Sequence, residues 1–187
     1  MQIPVGVSSR HLHLSPDHLA ALFGAQYELG AAKPLRQPGQ YAAHETVTLV
    51  GPKGQIEGVR VLGPTRAVTQ VEISRTDAVK LGVKPPVRES GDLTGAADIV
   101  LRGPCGEVLA PASTILAWRH MHLHTAEAEQ LGVKSGASVS VSIKGPRAVT
   151  FHNVIVRVNP QFKAEFHIDT DEANACGLEN GDVVEIG

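Results

Sequence analysis

No apolar run in this chain approaches the ~20 residues that a membrane-spanning helix needs. The start MQIPVGVSSR has neither a basic flank before an apolar core nor a cleavage site, so nothing marks the protein for secretion or membrane insertion. Cysteine is scarce: Cys105 and Cys176 stand far apart and in no CxxC or CxxH arrangement, which argues against a disulfide framework and a thiolate zinc site and fits a reducing cytoplasm. Neither sign of charge dominates. A formal net charge of −2 gives no general attraction to nucleic acid or to an anionic membrane, so neither is an expected partner and any anionic ligand must be held by local groups. Several catalytic designs are also missing, among them the G-x-S-x-G elbow, the Walker loop and the G-x-G-x-x-G dinucleotide turn. What remains is a soluble globular chain of 187 residues, 42% hydrophobic, enough for one large domain or two small ones.

Short β-branched runs dominate: Val47 to Val50, Val59 to Leu62, Ile99 to Leu101, Ser138 to Ile143, Val154 to Val158 and Val183 to Ile186. Most lie beside Gly, Pro or Asn, and long helical crossovers are missing, so the pattern predicts a mainly β protein of strands closed into barrels. The expected helices are brief: Pro16 to Phe23, Asp77 to Leu81, Ala126 to Leu131 and Glu172 to Cys176. Ser15 before Pro16 is a helix-start signal, and Gly82, Gly132 and Gly177 stop the other three.

The two halves carry the same landmarks in the same order. Arg10-His11-Leu12-His13-Leu14 recurs as Arg119-His120-Met121-His122-Leu123, and Val47 through Pro52 recurs as Val141 through Pro146. Gly63-Pro64 answers to Asn159-Pro160, and Glu72-Ile73 through Gly82-Val83 lines up without a gap on His167-Ile168 through Gly177-Leu178. Glu72 therefore falls opposite His167. His13 and Glu72 are 59 residues apart and His122 and His167 only 45, so the Gly- and Pro-containing stretch 24–44 reads as an inserted appendage. Two duplicated β-barrels with short capping helices are expected.

Alternate side chains of a strand share a face, so His11 with His13, and His120 with His122, can each chelate one metal ion. Imidazole suits zinc and several other divalent metals, and two ligands rarely suffice. The duplication nominates Glu72 as the third ligand of one set and His167 as the third of the other. Three protein ligands leave a position open for water or substrate, the catalytic pattern. Arg66, six residues before Glu72, is a candidate anion clamp, because its planar fork matches phosphate oxygens. His124 falls opposite the cap Ser15 and reads as a helix-start residue, while His18, His44 and His152 read as structural. Cys105 in a Gly-Pro-Cys-Gly turn and Cys176 at a helix end read as turn or core residues rather than nucleophiles.

Ser9 through Ser15, Leu62-Gly63-Pro64, Gln70 through Asp77, Arg119 through His122 and Phe166 through Asp169 together resemble the PduL-type phosphotransacylases, the phosphate propanoyltransferases, over essentially the whole chain. The resemblance implies two barrels: residues 1–9 with 118–187, a barrel completed by the N-terminal strand, and residues 10–117, which carry the appendage. It implies a dinuclear zinc site with two zinc ions per chain, one on His11, His13 and Glu72, the other on His120, His122 and His167, with Arg66 on phosphate. The implied activity is acyl transfer between coenzyme A and phosphate, on a propanoyl or acetyl group, without an acyl-enzyme. In this scheme the His-His-Glu side receives the coenzyme A sulfur while the His-His-His side and Arg66 hold phosphate, or the roles are exchanged. Acyl-CoA and phosphate are the expected substrates and a homodimer the expected assembly. The expected location is the bacterial cytoplasm. A microcompartment lumen, with shell or lumen proteins as partners, is expected instead if an N-terminal extension has been removed, since packaged relatives carry one and here the first strand begins almost at Met1. A metal-dependent hydrolase, a cupin-type oxygenase and a non-catalytic double-barrel binding module stay open as alternatives, although the Glu that follows H-x-H closely in cupins is missing after His13.

Overall fold

The computed structural model describes residues 1–186. In chain order the elements are β1 (Gln2–Ser8), β2 (His11–His13), α1 (Pro16–Phe23), β3 (Ala31–Pro34), β4 (Tyr41–Val50), β5 (Gln55–Gly63), β6 (Gln70–Glu72), α2 (Arg75–Leu81), β7 (Val87–Arg88), β8 (Ala97–Gly103), β9 (Gly106–Ala117), β10 (His120–Leu123), α3 (Thr125–Leu131), β11 (Ser138–Ile143), β12 (Val149–Val158), β13 (Glu165–Asp169), α4 (Thr170–Cys176) and β14 (Val183–Glu185). The protein is mainly β with two barrels and short helices, as its β-branched runs require. The chain divides into two compact units, Met1–Ser9 with Trp118–Gly187, and Arg10–Ala117.

The first unit is a closed barrel in the order β1-β13-β10-β12-β11-β14. In the second, β4-β5-β2-β6-β9-β8 closes because β8 pairs back onto β4, with β3 beside β4 and β7 beside β9. The two circuits repeat each other strand by strand. The His-x-His strand lies parallel to one neighbour and antiparallel to the other in both, β10 between β12 and β13, β2 between β5 and β6. The next pair is parallel in both, β13 with β1 and β6 with β9. The first strand of the chain thus takes, in one barrel, the place that the end of β9 takes in the other.

This register decides where the histidines point. Leu12 and Leu14 are fully buried in one core beside Val61, Val71 and Leu101, and Met121 and Leu123 in the other beside Phe166 and Ile168. Burying each Leu-sized side chain contributes about 1.5–3 kcal/mol. A slip of one residue would expel the leucines and force the imidazoles inward, so His11, His13, His120 and His122 are held on the opposite faces of their strands.

The helix ends obey the same local chemistry. Ser15 accepts a hydrogen bond from the His18 N–H, and Gly82, Gly132 and Gly177 adopt left-handed φ of 77°, 66° and 73° that side chains would oppose. His124 caps α3, its ring accepting from the Ala126 N–H, in the position Ser15 holds in the other half. The stretch 24–44 is only partly an appendage: β3 and the start of β4 pair with each other, and β4 then runs on into the barrel.

Candidate functional site

Antiparallel pairing of β2 with β6 sets His11 opposite Glu72 and His13 opposite Gln70. His11 Nε2 lies 3.5 Å from Glu72 Oε2, and the His11 and His13 ring centres are 5.9 Å apart, edge to face. His13 is buried, and its pKa is pushed down to about 3, first by that burial, then by the charges of Arg66 and His11; Glu72 and the Leu62 backbone oppose the shift. The ring is therefore a neutral imidazole at physiological pH. Its Nδ1 is buried without a hydrogen-bond partner, a condition that costs about 1–3 kcal/mol unless something fills it.

The other barrel repeats the arrangement. Pairing of β10 with β13 sets His120 opposite His167 and His122 opposite Glu165. The three ring centres are separated by 4.8, 4.9 and 4.9 Å. His120 Nδ1 is 2.9 Å from the Trp118 carbonyl, which can only accept, so Nδ1 carries the proton and Nε2 the lone pair. His122 packs against the Phe162 ring at 4.5 Å, and its pKa is driven to about 2 by burial and then by His120, His167 and Arg157. Its Nδ1, like that of His13, has no hydrogen-bond partner.

His167 Nε2 and Glu165 Oε2 are 2.8 Å apart, so the carboxylate faces the ring nitrogen, although Nε2 makes no aligned hydrogen bond. Donor atoms of His122, Glu165 and His167 all lie within 4.8 Å of one another, a spacing a metal ion could bridge. Neutral imidazoles with buried, unpartnered nitrogens beside a carboxylate fit a divalent metal of zinc type. Glu165 is absent from the ligand sets read from the sequence. Its only signal there is its place two residues before His167, on the same face of the strand.

Each His-x-His strand is braced by the arginine in front of it. Arg10 Nε meets Asp77 Oδ2 at 2.8 Å, and Arg119 Nε meets Glu172 Oε1 at 2.8 Å. Asp77 and Glu172 each stand five residues after the third member of their set, near the start of α2 and α4. The braces thus tie strand and helix together around each set. Asp77 holds the Arg10 pKa up, whereas burial raises that of Glu172 even beside Arg119.

Arg66 belongs to the same unit as His11, His13 and Glu72. Its backbone N–H donates to the Leu14 carbonyl at 3.0 Å, and its charge is the second cause of the low His13 pKa. Other groups stay outside the two sets. His18 and His152 bond Thr69 and Ser140 at 2.8 Å, and Cys176 is a buried thiol whose pKa is raised by burial. Cys105 is exposed.

A profile of the phosphate propanoyltransferase family matches residues 4–179. The phosphate propanoyltransferase of Thermotoga maritima is 58% identical, with 98% of this chain and 88% of that protein aligned. That of Rhodobacter capsulatus is 52% identical over 98% of this chain and 86% of its own, and that of Salmonella typhimurium 52% over 95% and 85%.

Proposed function

The chain belongs to the phosphate propanoyltransferase family and is an acyltransferase, and from that premise we propose that it interconverts a propanoyl- or acetyl-CoA plus phosphate with the acyl phosphate plus coenzyme A, using two zinc ions, one held in each barrel. His11, His13 and Glu72 hold one ion, and His120, His122 and His167 the other. The observation that carries this reading is the matched pair of buried imidazole nitrogens, His13 Nδ1 and His122 Nδ1, each without a hydrogen-bond partner at the same place in its barrel. The two compact units are, on this reading, the two domains, each with one site.

When bound, zinc supplies Lewis acidity toward a thioester carbonyl and a site for a departing thiolate. The protein's own groups do the rest. His13 and His122, neutral because they are buried, present lone pairs and take no proton at working pH. Arg66 offers two parallel N–H donors to phosphate and holds it in line with the acyl carbon. Because Arg66 shares a unit with His11, His13 and Glu72 and its charge acts on His13, phosphate falls on the side of that set, the second of the two assignments the resemblance leaves open. A phosphate oxygen attacks the thioester carbon, the C–S bond breaks, and the electron pair leaves on sulfur. No side chain carries the acyl group, and Cys176, a buried thiol with a raised pKa, is unsuited to do so. The bacterial cytoplasm, where the two free thiols stay reduced, suits this chemistry.

The test is thiol release from acetyl-, propanoyl- and butanoyl-CoA with and without phosphate. The proposal expects release only with phosphate, with acyl phosphate formed in equal amount. Equal release without phosphate would make the protein a thioester hydrolase.

A further inference from the structure

One position in each barrel touches the third member of its set without being among the three ligands proposed for it. It is the residue opposite the second histidine, Gln70 facing His13 and Glu165 facing His122. Gln70 is buried, and all of its amide is committed. Its Oε1 accepts from the Gly91 N–H at 2.9 Å; a backbone N–H can only donate, which fixes the amide orientation. Its Nε2 therefore faces the other way and donates to Glu72 Oε1 at 2.6 Å and to Ser90 Oγ at 2.8 Å. Glu72 is thus held by one oxygen while its other, Oε2, turns toward His11.

In the second barrel the third member is an imidazole, and the facing residue is a carboxylate, 2.8 Å from His167 Nε2. Space for that carboxylate comes from Gly6 of β1, which pairs with His167; a Cβ on Gly6 would lie 2.8 Å from Glu165 Oε1. The chemistry at the position has switched together with the chemistry of its neighbour. An amide donor sits against a carboxylate, and a carboxylate sits against an imidazole.

We propose that Gln70 and Glu165 are positioning residues, each matched to the third ligand of its own metal site, Gln70 orienting the Glu72 carboxylate by donation and Glu165 orienting the His167 imidazole through its contact with Nε2. The inference rests on the two-zinc reading. Partners that orient a ligand typically set metal affinity by about 10–100-fold. Gln70→Glu would place two carboxylates side by side, and Glu165→Gln would remove the carboxylate facing His167.

The experiment titrates the full chain with zinc against a chromophoric chelator and records the d–d absorption of the cobalt-loaded forms. Gln70→Ala and Gln70→Glu are expected to weaken one of two equivalents by about 10–100-fold and to alter its cobalt spectrum, leaving the other equivalent as a control for folding. Glu165→Gln is expected to weaken the other equivalent. The decisive comparison is Glu72→His alone against Glu72→His with Gln70→Glu, which rebuilds in one barrel the pairing found in the other. The double substitution should bind at least about tenfold more tightly than the single one. It also decides the matter if the Gln70 single variants fail to fold by circular dichroism. Wild-type affinity and cobalt spectra in the Gln70 variants, or a double substitution no tighter than Glu72→His, would overturn the matching while leaving two zinc ions in the wild type. A wild type that binds no zinc would overturn the metal reading itself, and this inference with it.

Discussion

The metal-free protein should be acid-labile in a way that two histidines control. Unfolded, His13 and His122 titrate near 6.5; folded, burial holds them at about 3 and about 2. Because the folded pKa is depressed, the unfolded chain binds more protons throughout that interval. Stability is therefore full above pH 6.5 and is lost as pH falls toward the folded values. Each pH unit in the window costs about 1.4 kcal/mol per histidine, so lowering pH from 7 to 5 removes about 2 kcal/mol for each. A domain has only about 5–15 kcal/mol to lose. The assay is urea unfolding of chelator-treated protein at pH 7 and pH 5, for wild type, His13→Gln and His122→Gln. Each variant should lose about 2 kcal/mol less than wild type over this step, since glutamine does not titrate. Equal losses in wild type and both variants would show that these rings are not held neutral by burial.

Arg66→Ala removes the fork proposed for phosphate, and kcat/KM for phosphate should fall by about a hundredfold or more while zinc content stays normal; unchanged phosphate kinetics in folded protein would return Arg66 to a structural role. Cys105→Ala and Cys176→Ala should both remain active, and initial-rate lines should intersect as a ternary complex requires. Ping-pong kinetics together with an inactive cysteine variant would instead indicate an acyl-enzyme.

The two His-x-His strands and the residues facing their first histidines were legible in the sequence because the duplication preserves order and spacing, and strand register then turns spacing into proximity. Glu72 and His167 align without a gap from the helices that follow them, and they do pair with His11 and His120. His124 was legible as a helix start by the same logic. β9 was not, although it is the longest strand described. Its sequence Gly106–Ala117 carries Pro111 mid-strand, and Ala112 sits at a positive φ of 42° with its N–H donated to Asp98 Oδ1, an irregularity that breaks any simple alternation. Gln70 and Glu165 were hidden for a different reason. They share no residue type, and only the cross-strand register brings each against the third member of its set. Sequence reasoning finds repeated identities more readily than matched differences.

The account stands or falls most directly on how activity returns to the metal-free protein. Chelated enzyme is titrated with zinc while phosphate-dependent thiol release from propanoyl-CoA is followed, with bound metal measured on the same samples. The account predicts negligible turnover without metal and a rise to a plateau at about two zinc ions per chain, by the rule of one three-ligand open site in each barrel. Full phosphate-dependent activity in protein shown to hold no metal would contradict it.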